Sequence, residues 1–271
     1  MESEISSVIR RVVTLLFFSL NLLIFCLGED QETAIKNFRD YDIKGLKGKV
    51  KTLTETFYEG WDSSGIIQKR DMFLRTFNSF DKYGNSIDFK ECDNNGVELS
   101  QLIKKCDNKG NVIGEIEIDK GSFTSNTRIK NNHKGYPIEA LTFSFRTRLQ
   151  TKDIYIYDEK GKDIIEQRGY EQDGSLLYRC FTRINKEGYI EEKDLYNSND
   201  SLNLKITFKY DDKGNLIERY YFDKDFEEEK ESYKYEKFDK SGNWIIKLED
   251  SKYWENDSHR YSIIERVIEY Y

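Results

Sequence analysis

One short pattern constrains this chain more than any other feature: a polar residue, two variable positions and a glycine, returning at intervals of one strand plus one turn. Ten copies end at Gly65, Gly84, Gly96, Gly110, Gly135, Gly161, Gly174, Gly188, Gly214 and Gly242. Asp leads seven of them, at Asp62, Asp81, Asp93, Asp107, Asp158, Asp211 and Asp239, while Asn132, Glu171 and Asn185 lead the others. From Gly161 the next two glycines follow at intervals of 13 and 14 residues, and Gly214 lies 26 further on, with Asp200 in "YNSND" at the intermediate turn. This is the chemistry of chain reversal. Asp at the first position accepts a bond from the backbone N–H two residues on, and Gly at the fourth takes the left-handed conformation of a bulged hairpin turn. Asp200 tolerates that conformation, whereas Phe226, aligned to the same place in "FDKDF", does not, so an irregular loop is expected over Asp223 to Glu229.

Between the turns, side chains alternate. Leu204, Ile206, Phe208 and Tyr210 fall on one face, with Lys205, Thr207 and Lys209 on the other; Trp244, Ile246 and Leu248 repeat the pattern against Ile245 and Lys247. With 19 Tyr and 17 Phe against 2 Met and 1 Pro, the apolar content suits pleated surfaces rather than helices. Short turns between successive strands exclude parallel crossovers. The expected fold is therefore all-β: a long antiparallel up-and-down meander of hairpin repeats, about fourteen strands between Trp61 and Tyr271, forming a strongly twisted or curled sheet. "QETAIKNFRDYDIKGL", from Gln31, reads as a short helix or loop lead-in, and "GKVKTLTETFYE" as the first strand. Outer-membrane barrels share the meander, but Lys, Glu and Arg at mid-strand are foreign to a lipid-facing belt.

The first 28 residues differ from the rest. Arg10 and Arg11 precede "VVTLLFFSLNLLIFCLG", which gives way to the acidic "EDQE" at Glu29. The segment reads as a signal peptide cleaved after Gly28, leaving a single domain over 29–271. Two alternatives stay open: a lipobox in which Cys26 is lipidated, and an uncleaved anchor at the lower edge of spanning length. Each implies an extracytoplasmic address in the periplasm, at the cell surface or outside the cell, with membrane attachment only through this segment. Without Cys26, the chain keeps Cys92, Cys106 and Cys180, an odd number.

"YDDKGNLIE", Tyr210 to Glu218, resembles the tyrosine–aspartate repeat of Rhs and teneurin-like proteins, with echoes in "FDKYGNSID" from Phe80, "CDNKGNVIG" from Cys106, "YDEKGKDII" from Tyr157 and "FDKSGNWII" from Phe238. The layout of leader, tandem copies and closing strands is similar to that of small envelope proteins of bacteria. The resemblance implies a repetitive β-fold and carbohydrate binding. It does not imply the closed toxin shell of the large Rhs proteins, for which this chain is too short.

The Asp row suggests paired catalytic carboxylates or calcium loops, but "DDKG", "DKYG" and "DNKG" place Lys or Tyr where calcium ligands belong. The turn role accounts for Asp and Gly together, so no metal or cofactor is expected. His133 and His259 lack Cys or Ser partners at catalytic or zinc spacing. Net charge is −7, with 43 basic and 50 acidic residues interspersed, which argues against nucleic-acid binding. Cys92 and Cys106 are expected at opposite ends of one strand, about 30 Å apart, and so unpaired. Flat rings along an extended sheet stack on sugars, which makes Trp61, Trp244 and Trp254 the candidate carbohydrate-binding residues. The expected function is non-enzymatic: a secreted or envelope-associated protein presenting an extended surface to a protein or glycan. The alternative is a carbohydrate hydrolase with carboxylates on the concave face, where Glu218, in register with Leu216, Tyr220 and Phe222, is the mid-strand acid.

Overall fold

The computed structural model describes residues 46–148, 150–223, 229–253 and 258–271. The segment over 1–28 with Cys26, the lead-in, Trp254 and the loop expected after Asp223 lie outside the described residues. Among the described residues there are sixteen strands: β1 Val50–Ser63, β2 Ile66–Phe80, β3 Ser86–Asp93, β4 Glu98–Cys106, β5 Val112–Asp119, β6 Ser122–Asn131, β7 Pro137–Ser144 and β8 Gln150–Tyr157. They continue as β9 Ile164–Tyr170, β10 Leu176–Ile184, β11 Ile190–Asn197, β12 Leu202–Tyr210, β13 Leu216–Asp223, β14 Glu229–Phe238, β15 Trp244–Tyr253 and β16 Ser258–Tyr270. Each pairs antiparallel with its neighbours in sequence, and β1 pairs with β16, closing a barrel. The all-β meander is as the repeat predicts. The open, curled sheet is not: closure gives the edge backbones of β1 and β16 ladder partners from Val50↔Tyr270 to Gly60↔Tyr261.

The turns sort by end. Seven of them, led by Asp81, Asp107, Asn132, Asp158, Asn185, Asp211 and Asp239, lie at one end of the barrel, where β1 begins and β16 finishes. In each, the glycine N–H donates to the carbonyl of the leading residue, for example Gly214 to Asp211 at 3.0 Å, and the glycine φ is positive, +85° at Gly214. Every one of the seven is followed by a register shift in the hairpin it closes. The opposite end is mixed. It includes tight turns through Ser64 and Gly65 and through Lys120 and Gly121, and the Asp200 turn, where φ is +62° as expected.

Following register round the barrel places Glu55, Thr76, Glu91, Leu102, Thr127, Asp153, Gln167, Cys180, Ile206 and Arg266 on one face, all buried or half-buried. The other face carries exposed Phe77, Arg128, Phe143, Lys209, Lys234 and Val267. The first is the inner wall. Its packing is concentrated in two arcs. One joins Tyr178, Cys180, Leu195, Ile206, Phe208 and Tyr233 across β10–β14, and the other joins Leu46, Val50, Leu53 and Phe80 across β1 and β2. Inward residues of β3–β7 such as Phe89, Glu91, Leu102, Glu117 and Thr142 stay half-accessible.

Candidate functional site

The row of aspartates is structural. Asp211 Oδ1 accepts from the N–H groups of Lys213 (2.9 Å) and Asn215 (2.8 Å), and its Oδ2 accepts from Asn215 Nδ2 at 2.8 Å. Asp81, Asp107, Asn132, Asn185 and Asp239 repeat the pair of backbone bonds. The bond from the Asn111 N–H holds the Asp107 carboxyl below the usual carboxylate range, and that from Lys162 does the same at Asp158. Neighbouring turns also lock together. The Tyr83 ring lies over Gly110, Asn111 over Gly135 and Tyr189 over Gly214, while Asn85 Nδ2 donates to the Gly110 carbonyl at 2.8 Å. Closure is sealed at the same rim, where Asn243 Nδ2 donates to the Lys47 carbonyl at 2.9 Å.

The bulge after each such turn reverses the sequence parity of the strand. Tyr210 pairs with Leu216, yet Lys209 pairs with Glu218, so Ile217 is the extra residue. Leu216 therefore points inward and is 1% exposed, while Glu218, Tyr220 and Phe222 point outward. Glu218 is thus not a concave-face acid. Lys209 Nζ at 2.8 Å and Lys230 Nζ at 2.5 Å grip it from either side, and their hydrogen bonds pull its pKa down to about 2. Similar outward pairs join Lys205 to Glu192 (2.7 Å), Lys69 to Glu265 (2.6 Å) and His259 to Asp250 (2.7 Å).

The inner wall from β13 to β1 is a row of alternating cations and rings. Arg219 pairs with Glu231, which also accepts from the Tyr233 hydroxyl. Lys247 Nζ lies 4.7 Å from the Tyr233 centroid and 5.0 Å from that of Trp244, and the Arg266 guanidinium covers Trp244 at 3.3 Å. Arg266 Nε then donates to Glu55 Oε1 at 2.9 Å. Trp244 is consequently 7% exposed, its ring occupied by the chain's own cations. Trp61 is 52% exposed at the far end of β1, with the Arg70 guanidinium 4.2 Å above its ring. The two tryptophans sit at opposite ends of the barrel and do not form one site.

A second inner feature escaped the sequence reading. Asp153, Gly169 and Tyr178 lie in one row across β8, β9 and β10, and Tyr178 reaches over the bare Gly169 to donate to Asp153 Oδ1 at 2.5 Å. A Cβ on Gly169 would stand 2.1 Å from the Tyr178 ring. Gln167 Nε2 donates to the Tyr178 hydroxyl at 2.7 Å and to Asp153 at 3.3 Å. Burial pushes the Asp153 carboxyl up despite these two bonds. The one visible signal was the isolated Gly169 inside "IIEQRGY", a mark of close approach in a strand. By register, the nearest inward acid on the β7 side is Glu115, three strands and about 14 Å away, too far for a glycosidase pair.

His133 is exposed in its turn, and among the described residues no group of three or more His, Cys, Asp and Glu is placed to hold a metal. Cys92 and Cys106 stand at opposite ends of β4, as expected, and form no disulfide; Cys180 is buried and forms none either.

No family model and no curated protein matches this sequence. Among solved structures, a porin-like protein from Bacteroides uniformis is similar at a TM-score of 0.57 and 10% identity, over 82% of this chain and 98% of that one. A crystal structure of TcdB2-TccC3-TEV gives 0.35 at 13% identity over 78% of this chain, and this chain spans only 11% of that one. A DUF1329 family protein from Desulfovibrio piger gives 0.24 at 9% identity over 82% of this chain and 86% of that one. At such identity the first likeness concerns the fold alone, and the lower scores carry no argument.

Proposed function

We propose that this chain is a non-enzymatic, extracytoplasmic barrel that binds a carbohydrate against the accessible part of its inner wall, over β3–β7. The observation that carries this reading is the contrast between the two parts of that wall. From β10 to β2, large side chains pack on one another. Over β3–β7, half-accessible Phe89 and Leu102 sit beside Glu91, Ser100, Glu117, Ser125 and Thr142, which mixes apolar surface with fixed hydrogen-bonding groups as sugar recognition requires. Ser100 Oγ donates to Glu91 at 2.7 Å and Ser125 Oγ to Glu117 at 3.0 Å, so these carboxylates are held in place. The address rests on the apolar segment before Glu29, and kinship with tyrosine–aspartate repeat proteins on the repeated turn; both belong to the proposal. Screening the protein on a glycan array, then repeating the hit with Phe89→Ala and Thr142→Leu, tests it. Binding lost in both variants supports the reading, and undiminished binding overturns it.

A second reading, a carbohydrate hydrolase, is favoured by Glu115 and Glu117, which stand two residues apart on the same inward face of β5. A bound glycan that is also cleaved, with cleavage abolished and binding kept in Glu117→Gln, selects the hydrolase.

A further inference from the structure

We propose that the outer face of β4–β8, at the end opposite the Asp-x-x-Gly rim, docks on the surface of an anionic lipid bilayer. Three phenylalanines meet there in the open: Phe123 is 64% exposed, Phe143 40% and Phe145 47%, with Phe145 centred 6.5 Å from Phe123 and 5.3 Å from Phe143. Ile118, paired with Phe123, and Ile116 and Ile103, paired with each other, extend the same outward surface. Contiguous exposed apolar surface of this kind is uncommon on a protein with no partner.

The occupant is identified by charge. Lys120 and Arg148 are exposed in the two turns beside the rings, and Arg146, 65% exposed, reaches Asp119 at 3.1 Å. Apolar rings bordered by cations at one edge suit a bilayer interface, where rings enter the headgroup boundary and the cations meet phosphates. A twofold dimer whose axis runs from the rings toward the turns would instead set the cluster of Lys120, Arg146 and Arg148 against its own copy. The barrel does not span the bilayer, because the outer face of β11–β16 carries Lys205, Lys209, Glu218, Lys230, Asp250 and Glu265 along its strands. The inferred contact is therefore one-sided, and it is separate from the inner wall proposed to bind carbohydrate.

Hydroxyl-radical footprinting of the full chain on vesicles tests this contact locally, whatever the segment before Glu29 does. On vesicles containing phosphatidylglycerol, oxidation of Phe123, Phe143 and Phe145 is expected to fall about fivefold, the change from a half-exposed to a buried ring. Trp61 and Tyr271, exposed at 52% and 61%, serve as references on the same molecules and stay oxidised. In Arg146→Glu/Arg148→Glu the protection of the three rings is expected to vanish, with far-UV dichroism confirming the barrel. Equal oxidation with and without vesicles would overturn the proposal. So would protection that persists in the charge-reversed protein, or protection in lipid-free samples that sediment as dimers.

Discussion

Two glycines with the same backbone conformation and different surroundings offer the sharpest test of the locked rim. Gly110 (φ +83°) and Gly174 (φ +86°) close turns of the same type at opposite ends of the barrel. Alanine at either forces a Cβ into the left-handed region, at a cost of about 1–2 kcal/mol. At Gly174 nothing lies within 4 Å of the new methyl group, so that cost is the whole effect. At Gly110 the methyl would stand 2.5 Å from Tyr83 Cδ2, 2.6 Å from Cγ and 3.0 Å from Cβ. Contacts at the root of the ring cannot be relieved by swinging its tip, so overpacking adds about 1–3 kcal/mol. Urea denaturation followed by far-UV dichroism, with m compared between variants, reads the two losses directly. Gly110→Ala is expected to cost more by that increment, and most of it should disappear in a Tyr83→Ala background. Equal costs at the two sites, or a gap that persists without the Tyr83 ring, would refute the claim that the Tyr83 turn packs on the Gly110 turn.

Two further outcomes concern the inner wall. Because burial raises the Asp153 pKa in the folded chain, the folded state binds the proton more tightly than the unfolded state does; stability is full below about pH 4 and declines as pH rises toward the folded pKa. Asp153→Asn, which keeps an acceptor for Tyr178, should flatten that decline and raise the denaturation midpoint at pH 7; an unchanged slope in urea titrations across pH 4–8 would contradict it. Glu55→Met leaves the Arg266 guanidinium, whose side chain is 3% exposed, without its carboxylate, and should cost about 3–5 kcal/mol, while the added Arg266→Met change should restore most of the loss. Thermal scans of the single and double variants decide this, and a double variant no better than the single one would count against it.

The meander was legible because Asp-x-x-Gly and strict alternation are local signals, each confined to a few residues of one hairpin. Two turns hid inside long glycine intervals: Lys120–Gly121 between Gly110 and Gly135, and the turn at Arg148 between Gly135 and Gly161. Both reverse the chain without the leading Asp, so the repeat does not announce them; about fourteen strands were expected after Trp61 from strand length, and fifteen begin there among the described residues. Closure was not legible, since β1 and β16 meet across more than 200 residues, as in Glu55↔Arg266, and alternation in either strand alone says nothing about the other. Glu218 was assigned to the wrong face for a physical reason: one bulge at Ile217 shifts everything after it, and periodicity carried through the turn inherits the error. Trp244 was placed on one face with Ile246 and Leu248 for the same reason: the bulge at Ile245 turns those two outward, opposite Glu265 and Ile263, and brings Lys247, read as an outward charge, inside beside Trp244, where Arg266 of the next strand also covers the ring.

Closure also limits how this protein can meet anything else. An open sheet offers its edge backbones as a template for an added strand, but in this ladder both edges are joined to each other. Much of the Asp-x-x-Gly rim is equally committed, because its carboxylates bind turn amides and Gly110, Gly135 and Gly214 are covered by side chains of the neighbouring turns. On β11–β16 the outward charges are paired across strands, with Glu218 held by Lys209 and Lys230 and Glu192 by Lys205, so an incoming group there must compete with ligands already in place. What stays open is the half-accessible inner wall of β3–β7 and, on the outside of β4–β8, the phenylalanines beside Lys120, Arg146 and Arg148. These surfaces share strands back to back. Inward Leu102 and Glu117 alternate with outward Ile103, Ile116 and Ile118 along β4 and β5. A ligand held on one side and a membrane on the other would therefore act on the same strands, and shifting the register of β5 by one residue would destroy both.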